Sequence, residues 1–218
     1  PKNIAFGSKL LASPYLMLNY KKPNILGPIG IQSGVVLSHA SNGNFSAPNT
    51  SVNTIALNIG MNYDLDTKKI LFEEPKEMLE VSKALKYNVV FRSGLNQTDV
   101  VGTQHYPFYS LAAYVDKRLN YFSGFQLGVE AFVSYALKEE INYRSIAYPD
   151  EHSNPNADFK RIGSFLGYEL FINQWSITSQ VGYYLYYPYD FEGQVYNRIG
   201  LKRYFGDKVF GAITLKSH

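Results

Sequence analysis

The sequence predicts an all-β fold, a transmembrane antiparallel up-and-down β-barrel of the outer-membrane type. Three observations carry that prediction. Apolar and polar residues alternate with period two over stretches that reach the ~9–11 residues needed to cross a bilayer as a strand. No run of about 18 apolar residues occurs, so no transmembrane helix competes. Tight turns alternate with longer polar loops, as at the two ends of a membrane barrel.

The alternation is clearest from Phe125, where Phe125, Leu127, Val129, Ala131 and Val133 form one parity and Gln126, Gly128, Glu130, Phe132 and Ser134 the other. Ile55, Leu57, Ile59 and Met61 alternate in the same way with Ala56, Asn58, Gly60 and Asn62. Strands are expected at 8–21, 28–41, 51–65, 84–96, 107–119, 122–138, 159–172, 174–188, 194–205 and 208–218. That is about ten in this chain, and about 10–14 are expected in the intact protein. Soluble sandwiches also alternate, but their strands are usually about five or six residues long. Asn120-Tyr121, Asn173-Gln174 and Gly206-Asp207 read as tight turns, and 97–106, 139–158 and 189–193 as the longer loops. Tyr183, Tyr184, Tyr186, Tyr187 and Tyr189 crowd one end of a strand, where amphipathic rings favour a membrane interface. The chain is read as a single barrel domain over 1–218. Segment 66–83 is an insertion on the periplasmic side, with a short helix expected after Pro75.

Composition narrows the function classes. Net charge is +3 and the basic residues are scattered, which argues against nucleic acid as a partner. With no cysteine, disulfides and thiolate metal sites are excluded. Pro1–Lys9 lacks the apolar core of a signal peptide, and the chain stops at Lys216-Ser217-His218 and not on a terminal aromatic, so some loss is expected at both ends. Glu130, Glu169, Arg198 and Lys202 fall on inward parities. They are expected to form a paired network that plugs the lumen, because buried charges persist only when paired.

The chemistry concentrates in 31–65. Extending the outward parity Ile31, Ser33, Val35, Leu37 reaches His39 and Ser41. On the returning strand the outward set extends backwards from Ile55 to Asn53 and Ser51. If the hairpin closes over 42–50, one register pairs Ser41 with Ser51 and His39 with Asn53, with opposed Cβ atoms about 4.5–5.5 Å apart. That is a nucleophile–base–orienter arrangement: Ser41 attacks, His39 takes its proton, and the amide oxygen of Asn53 fixes the tautomer. Asn42 and backbone N–H groups around Gly43 are the candidate oxyanion donors. The bland reading is a strand ending in a turn of ordinary turn-forming residues. The outward parity opposite an asparagine favours the site.

Ser38-His39-Ala40-Ser41-Asn42-Gly43, followed by Pro48-Asn49 and Asn53, resembles the active-site hairpin of the lipid A 3-O-deacylase family. The wider chain, including YNRIGLKRYF and the closing LKSH, is similar to Bacteroidota barrels called acyloxyacyl hydrolases. The resemblance implies an outer-membrane esterase that removes the 3-position acyl chain of lipid A, without a cofactor. It makes His39 the base and Ser41 the nucleophile, with Asn42 in the oxyanion hole. The best-known deacylases carry Glu where this chain has Asn53. In that respect the chain resembles outer-membrane phospholipase A, whose Ser-His-Asn triad comes with a calcium requirement and dimerisation. Lipid A in the outer leaflet and membrane lipids are the expected partners, with a homodimer or association with other outer-membrane proteins also open. The alternatives are a phospholipase A and a non-catalytic barrel, either a pore or a subunit of an outer-membrane assembly.

Overall fold

The computed structural model describes residues 5–65, 81–149 and 154–218. The segment read as a periplasmic insertion, 66–83, therefore lies almost wholly outside the described residues. Among the described residues, ten strands follow in chain order: β1 Tyr15–Leu26, β2 Ile29–Ala40, β3 Val52–Tyr63, β4 Lys86–Asn96, β5 Tyr106–Arg118, β6 Ser123–Ser134, β7 Lys160–Ile172, β8 Trp175–Tyr186, β9 Val195–Tyr204 and β10 Phe210–Ser217. One helix, α1 Tyr135–Ala147, follows β6. All pairings are antiparallel and join neighbours in sequence, forming one sheet β1-β2-β3 and another running from β4 to β10. The chain divides into two compact units, Pro1–Asn42 with Asn49–Met78, and Gly43–Pro48 with Leu79–His218.

Two expected elements shift. The first strand was placed at 8–21 but runs Tyr15–Leu26, and its ladder with β2 breaks between Lys22 and Leu26. Asn24 takes a left-handed φ of 55° there, and Gly27 turns the chain at φ 60°. Pro23 is tolerated because β1 is an edge strand of its sheet. The sixth strand was expected to reach residue 138, yet it stops at Ser134 and a helix takes over. Alternation alone cannot detect this, since Tyr135 and Leu137 continue the apolar parity. What ends the strand is loss of partners: the last pairs are Phe108–Ser134 on one side and Val133–Lys160 on the other. The Ser134 hydroxyl then accepts from the Leu137 N–H as an N-cap. Glu140 and Arg144 pair at 2.6 Å across one helical turn.

In the seven-stranded unit one parity is buried and the other is apolar and exposed. Tyr114, Phe132, Phe165, Tyr184 and Tyr196, with Ala112, form the inner apolar cluster. The sheet curls into a half-barrel, so that Lys202 on β9 reaches the Tyr114 hydroxyl on β5 at 3.3 Å. The inward charges pair as expected. Glu130 is held by Arg198 at 2.9 Å and Arg92 at 3.0 Å. Glu169 is held by Lys202 at 3.0 Å and by Gln126, Ser176 and Tyr204. Each buried carboxylate thus meets a cation and further donors, the condition under which burial of charge is sustainable.

At the end of this sheet opposite its tight turns, the segment between β8 and β9 folds back on itself. The Tyr187 hydroxyl accepts the N–H groups of Phe191 and Glu192. Glu192 then meets Arg161 at 2.5 Å and the His218 imidazole at 3.0 Å. Burial pushes the Glu192 carboxyl up. The hydrogen bond to His218 and the charges of Arg161 and Lys216 outweigh that, and they hold it well below the usual carboxylate range.

The three-stranded unit carries large apolar residues that are almost fully exposed. Leu57 and Ile59 are 81% and 89% exposed, with Ile55 and Met61 beside them on the same parity. A contiguous apolar wall of this sort is costly in water and suits a hydrocarbon surround.

Candidate active site

The site is built on the β2–β3 hairpin. The ladder pairs Ala40 with Val52 and His39 with Asn53, so the expected register holds at the base. His39 Nδ1 lies 2.7 Å from Asn53 Oδ1. An amide oxygen only accepts, so this contact puts the proton of His39 on Nδ1 and leaves Nε2 as the acceptor.

Ser41 departs from expectation in one respect. It does not continue the ladder by pairing with Ser51, because β2 ends at Ala40. It pairs instead with Ala12, through Ser41 N–H to the Ala12 carbonyl at 3.0 Å and Ala12 N–H to the Ser41 carbonyl at 2.9 Å. The preceding residue pair continues the same register, with His39 N–H donating to the Pro14 carbonyl at 3.1 Å. Both catalytic-type residues therefore have their backbones fixed by the chain that leads into β1. Alternation keeps their side chains on one face, two residues apart.

Ser41 and Asn42 are nearly buried, at 3% and 8% exposure. Sequence reasoning gave Asn49 no chemical role, although it stood inside the Pro-Asn turn. Asn49 Nδ2 donates to Ser41 Oγ at 3.0 Å, and Asn49 Oδ1 accepts the Asn42 backbone N–H at 2.9 Å. A carbonyl-type oxygen thus sits against the N–H of the residue that follows the serine. That N–H is where many serine hydrolases hold the developing oxyanion. The signal that could have found Asn49 is its return, eight residues after Ser41, at the end of a Gly-Asn-rich loop. Gly43 takes a left-handed φ of 64°, and a Cβ there would lie 2.5 Å from Leu215 Cδ1, so the turn needs glycine on both counts. It belongs to the other compact unit, whereas His39, Ser41, Asn42, Asn49 and Asn53 all belong to the first.

A cavity of about 290 Å³ opens at the tight-turn end of the seven-stranded sheet, among Lys86, Asp116, Arg118, Tyr204 and Lys208. No serine, threonine or histidine lines it, so it offers no base–nucleophile pair.

Comparison with protein families covers most of the chain. Residues 2–62 match the family described as lipid A 3-O-deacylase (PagL). Residues 85–218, more than half of the chain, match the acyloxyacyl hydrolase C-terminal domain. The chain belongs to this family of lipid A acyl-ester hydrolases. The family is one of β-barrels, in keeping with the meander of antiparallel strands. No curated protein and no solved structure matches the chain.

Proposed function

We propose that the chain is an outer-membrane serine esterase that removes the ester-linked acyl chain from the 3-position of lipid A. The observation that carries this reading is the 2.7 Å contact between His39 Nδ1 and Asn53 Oδ1, on the face shared with Ser41. With Nδ1 committed to Asn53, Nε2 is the nitrogen that receives the serine proton. Ser41 Oγ attacks the ester carbonyl, and the carbonyl oxygen becomes an oxyanion that takes the Asn42 N–H in place of Asn49 Oδ1, which holds that donor at 2.9 Å in the free protein. Collapse breaks the bond to the sugar oxygen, which leaves with the proton returned by His39. Water, deprotonated by the same imidazole, then releases the fatty acid from Ser41. A site on a lipid-facing wall receives its substrate laterally from the outer leaflet, without extracting it into water. The apolar exposure of Ile55, Leu57 and Ile59 beside the site supports this route.

Mass spectrometry of lipid A from cells expressing wild type or Ser41→Ala tests the proposal. Wild type is expected to shift the lipid A population by the mass of one acyl chain, and the variant is expected to leave it intact. A second reading, phospholipase A, draws on the amide oxygen of Asn53 against His39, the Ser-His-Asn set by which the sequence resembles that enzyme. Unchanged lipid A together with calcium-dependent release of fatty acid from phospholipid would favour it.

A further inference from the structure

The outer face of the seven-stranded sheet is largely apolar, and Arg203 interrupts it near the end of β9. Burial alternates along this strand, so Val195, Ile199, Leu201 and Arg203 share the outer face while Arg198 and Lys202 point inward. The two inward cations each meet a carboxylate, Glu130 and Glu169. Among the described residues Arg203 makes no ion pair. Asp207, the carboxylate nearest to it in the chain, lines the inner cavity at this end.

Two aromatic rings take the place of a carboxylate. The guanidinium carbon of Arg203 lies 5.3 Å from the centre of the Trp175 ring and 5.4 Å from that of Phe205. Trp175 opposes Arg203 on β8, and Gly211 opposes it on β10. The Phe205 ring leans over that glycine, 3.5 Å from where a Cβ would sit. Both rings are themselves exposed, at 42% and 59%. Residues 173–174 and 205–209 turn the chain here, so the group lies at the tight-turn end of the sheet.

A charge on a lipid-facing wall is costly unless it reaches the headgroup layer and finds a counter-charge there. Tight turns mark the periplasmic end of a membrane barrel, and tryptophan favours the same layer. The rings attract the guanidinium through their faces, but they leave its charge and its planar fork of N–H donors unmatched by any oxygen. A phosphate matches both. A zwitterionic lipid brings its own ammonium, which competes with Arg203 for that phosphate, whereas a net-anionic phospholipid brings none. We infer that Arg203, framed by Trp175 and Phe205, binds the phosphate of an anionic phospholipid in the periplasmic leaflet. This inference rests on the reading of the chain as an outer-membrane barrel. It is separate from the hairpin chemistry, since this lipid is held and not cleaved.

Trp175 is the only tryptophan of the chain, so its fluorescence reports on the site directly. The full chain is reconstituted in phosphatidylcholine vesicles that contain, at equal mole fraction, either brominated phosphatidylglycerol or brominated phosphatidylcholine, and bromine quenches the indole on contact. Wild type is expected to bind the glycerol lipid beside Trp175 about fivefold more strongly than the choline lipid. Arg203→Gln is expected to bring that ratio to about one, and Arg203→Lys, which keeps the charge, to retain a preference for the glycerol lipid. Heat-modifiable gel migration verifies that each variant is folded. If wild type shows no preference, or folded Arg203→Gln keeps it, the phosphate site is wrong while the membrane reading stands. If neither brominated lipid quenches Trp175, this wall does not face lipid, and the site falls together with the outer-membrane reading.

Discussion

Glu130 and Asn53 are both polar residues set into β-strands, and their neighbours give them opposite capacities. Glu130 is buried on the inner face of the seven-stranded half-barrel, where Arg92 and Arg198 fill its lone pairs. Its valences are spent on its own fold. Asn53 stands on the apolar parity of the three-stranded sheet, where a strand of this kind should carry Ile or Leu, and its one strong partner is His39. The contrast teaches that a polar residue's partner decides its use. Charges that neutralise one another fill and stiffen an interior. A polar group on an otherwise apolar wall orients an imidazole and fixes which ring nitrogen carries the proton.

The sharpest way to break this comparison is at the reactive end. Ser41→Ala and His39→Ala are each expected to lower fatty-acid release from lipid A by about 10⁴-fold or more, and the double variant by no more than either alone, because such groups act as one unit. A multiplicative loss in the double variant would show that the two residues work separately. At the interior end, Glu130→Ala strands two buried guanidinium groups. It is expected to cost about 3–5 kcal/mol in urea unfolding from lipid vesicles, with turnover per folded molecule preserved. A loss of turnover with stability intact would reverse the roles assigned here.

Smaller effects sharpen the picture. Asn53→Ala is expected to lower kcat about 10–100-fold by releasing the tautomer, whereas Asn53→Glu, which adds a charge beside the forming imidazolium, is expected to match or exceed wild type. Steady-state rates on lipid A distinguish the two. Glu192 gives the smallest effect, and a pH signature. Its folded carboxyl titrates below the ordinary range, so its stabilisation is complete above the usual carboxylate pKa and is lost only as pH falls through the lower folded value. Hydrogen exchange of the 187–194 segment is therefore expected to be faster in Glu192→Gln at neutral pH. The gap to wild type should narrow only in strong acid.

The strand register was legible because its causes are local. Alternation of Ile55, Leu57, Ile59 and Met61 against Val35 and Leu37 admits few pairings, and a slip by one residue would turn every apolar side chain to the wrong face. The His39–Asn53 pair followed from that register, and the inward facing of Glu130, Glu169, Arg198 and Lys202 followed from the alternation along their own strands. Helix α1 was hidden because Tyr135 and Leu137 prolong the strand parity, and only the missing partners of β5 and β7 end it.

By itself, then, the sequence determined the meander, its faces and the register that sets His39 against Asn53, since period-two patterning and turn residues act over a few positions. The tertiary structure decided the partners of Ser41. Its backbone went to Ala12 rather than Ser51, and its hydroxyl to Asn49. Those contacts join residues 29 and eight positions apart through irregular chain, where no periodicity constrains the path and only the folded backbone's need to satisfy its own hydrogen bonds selects it.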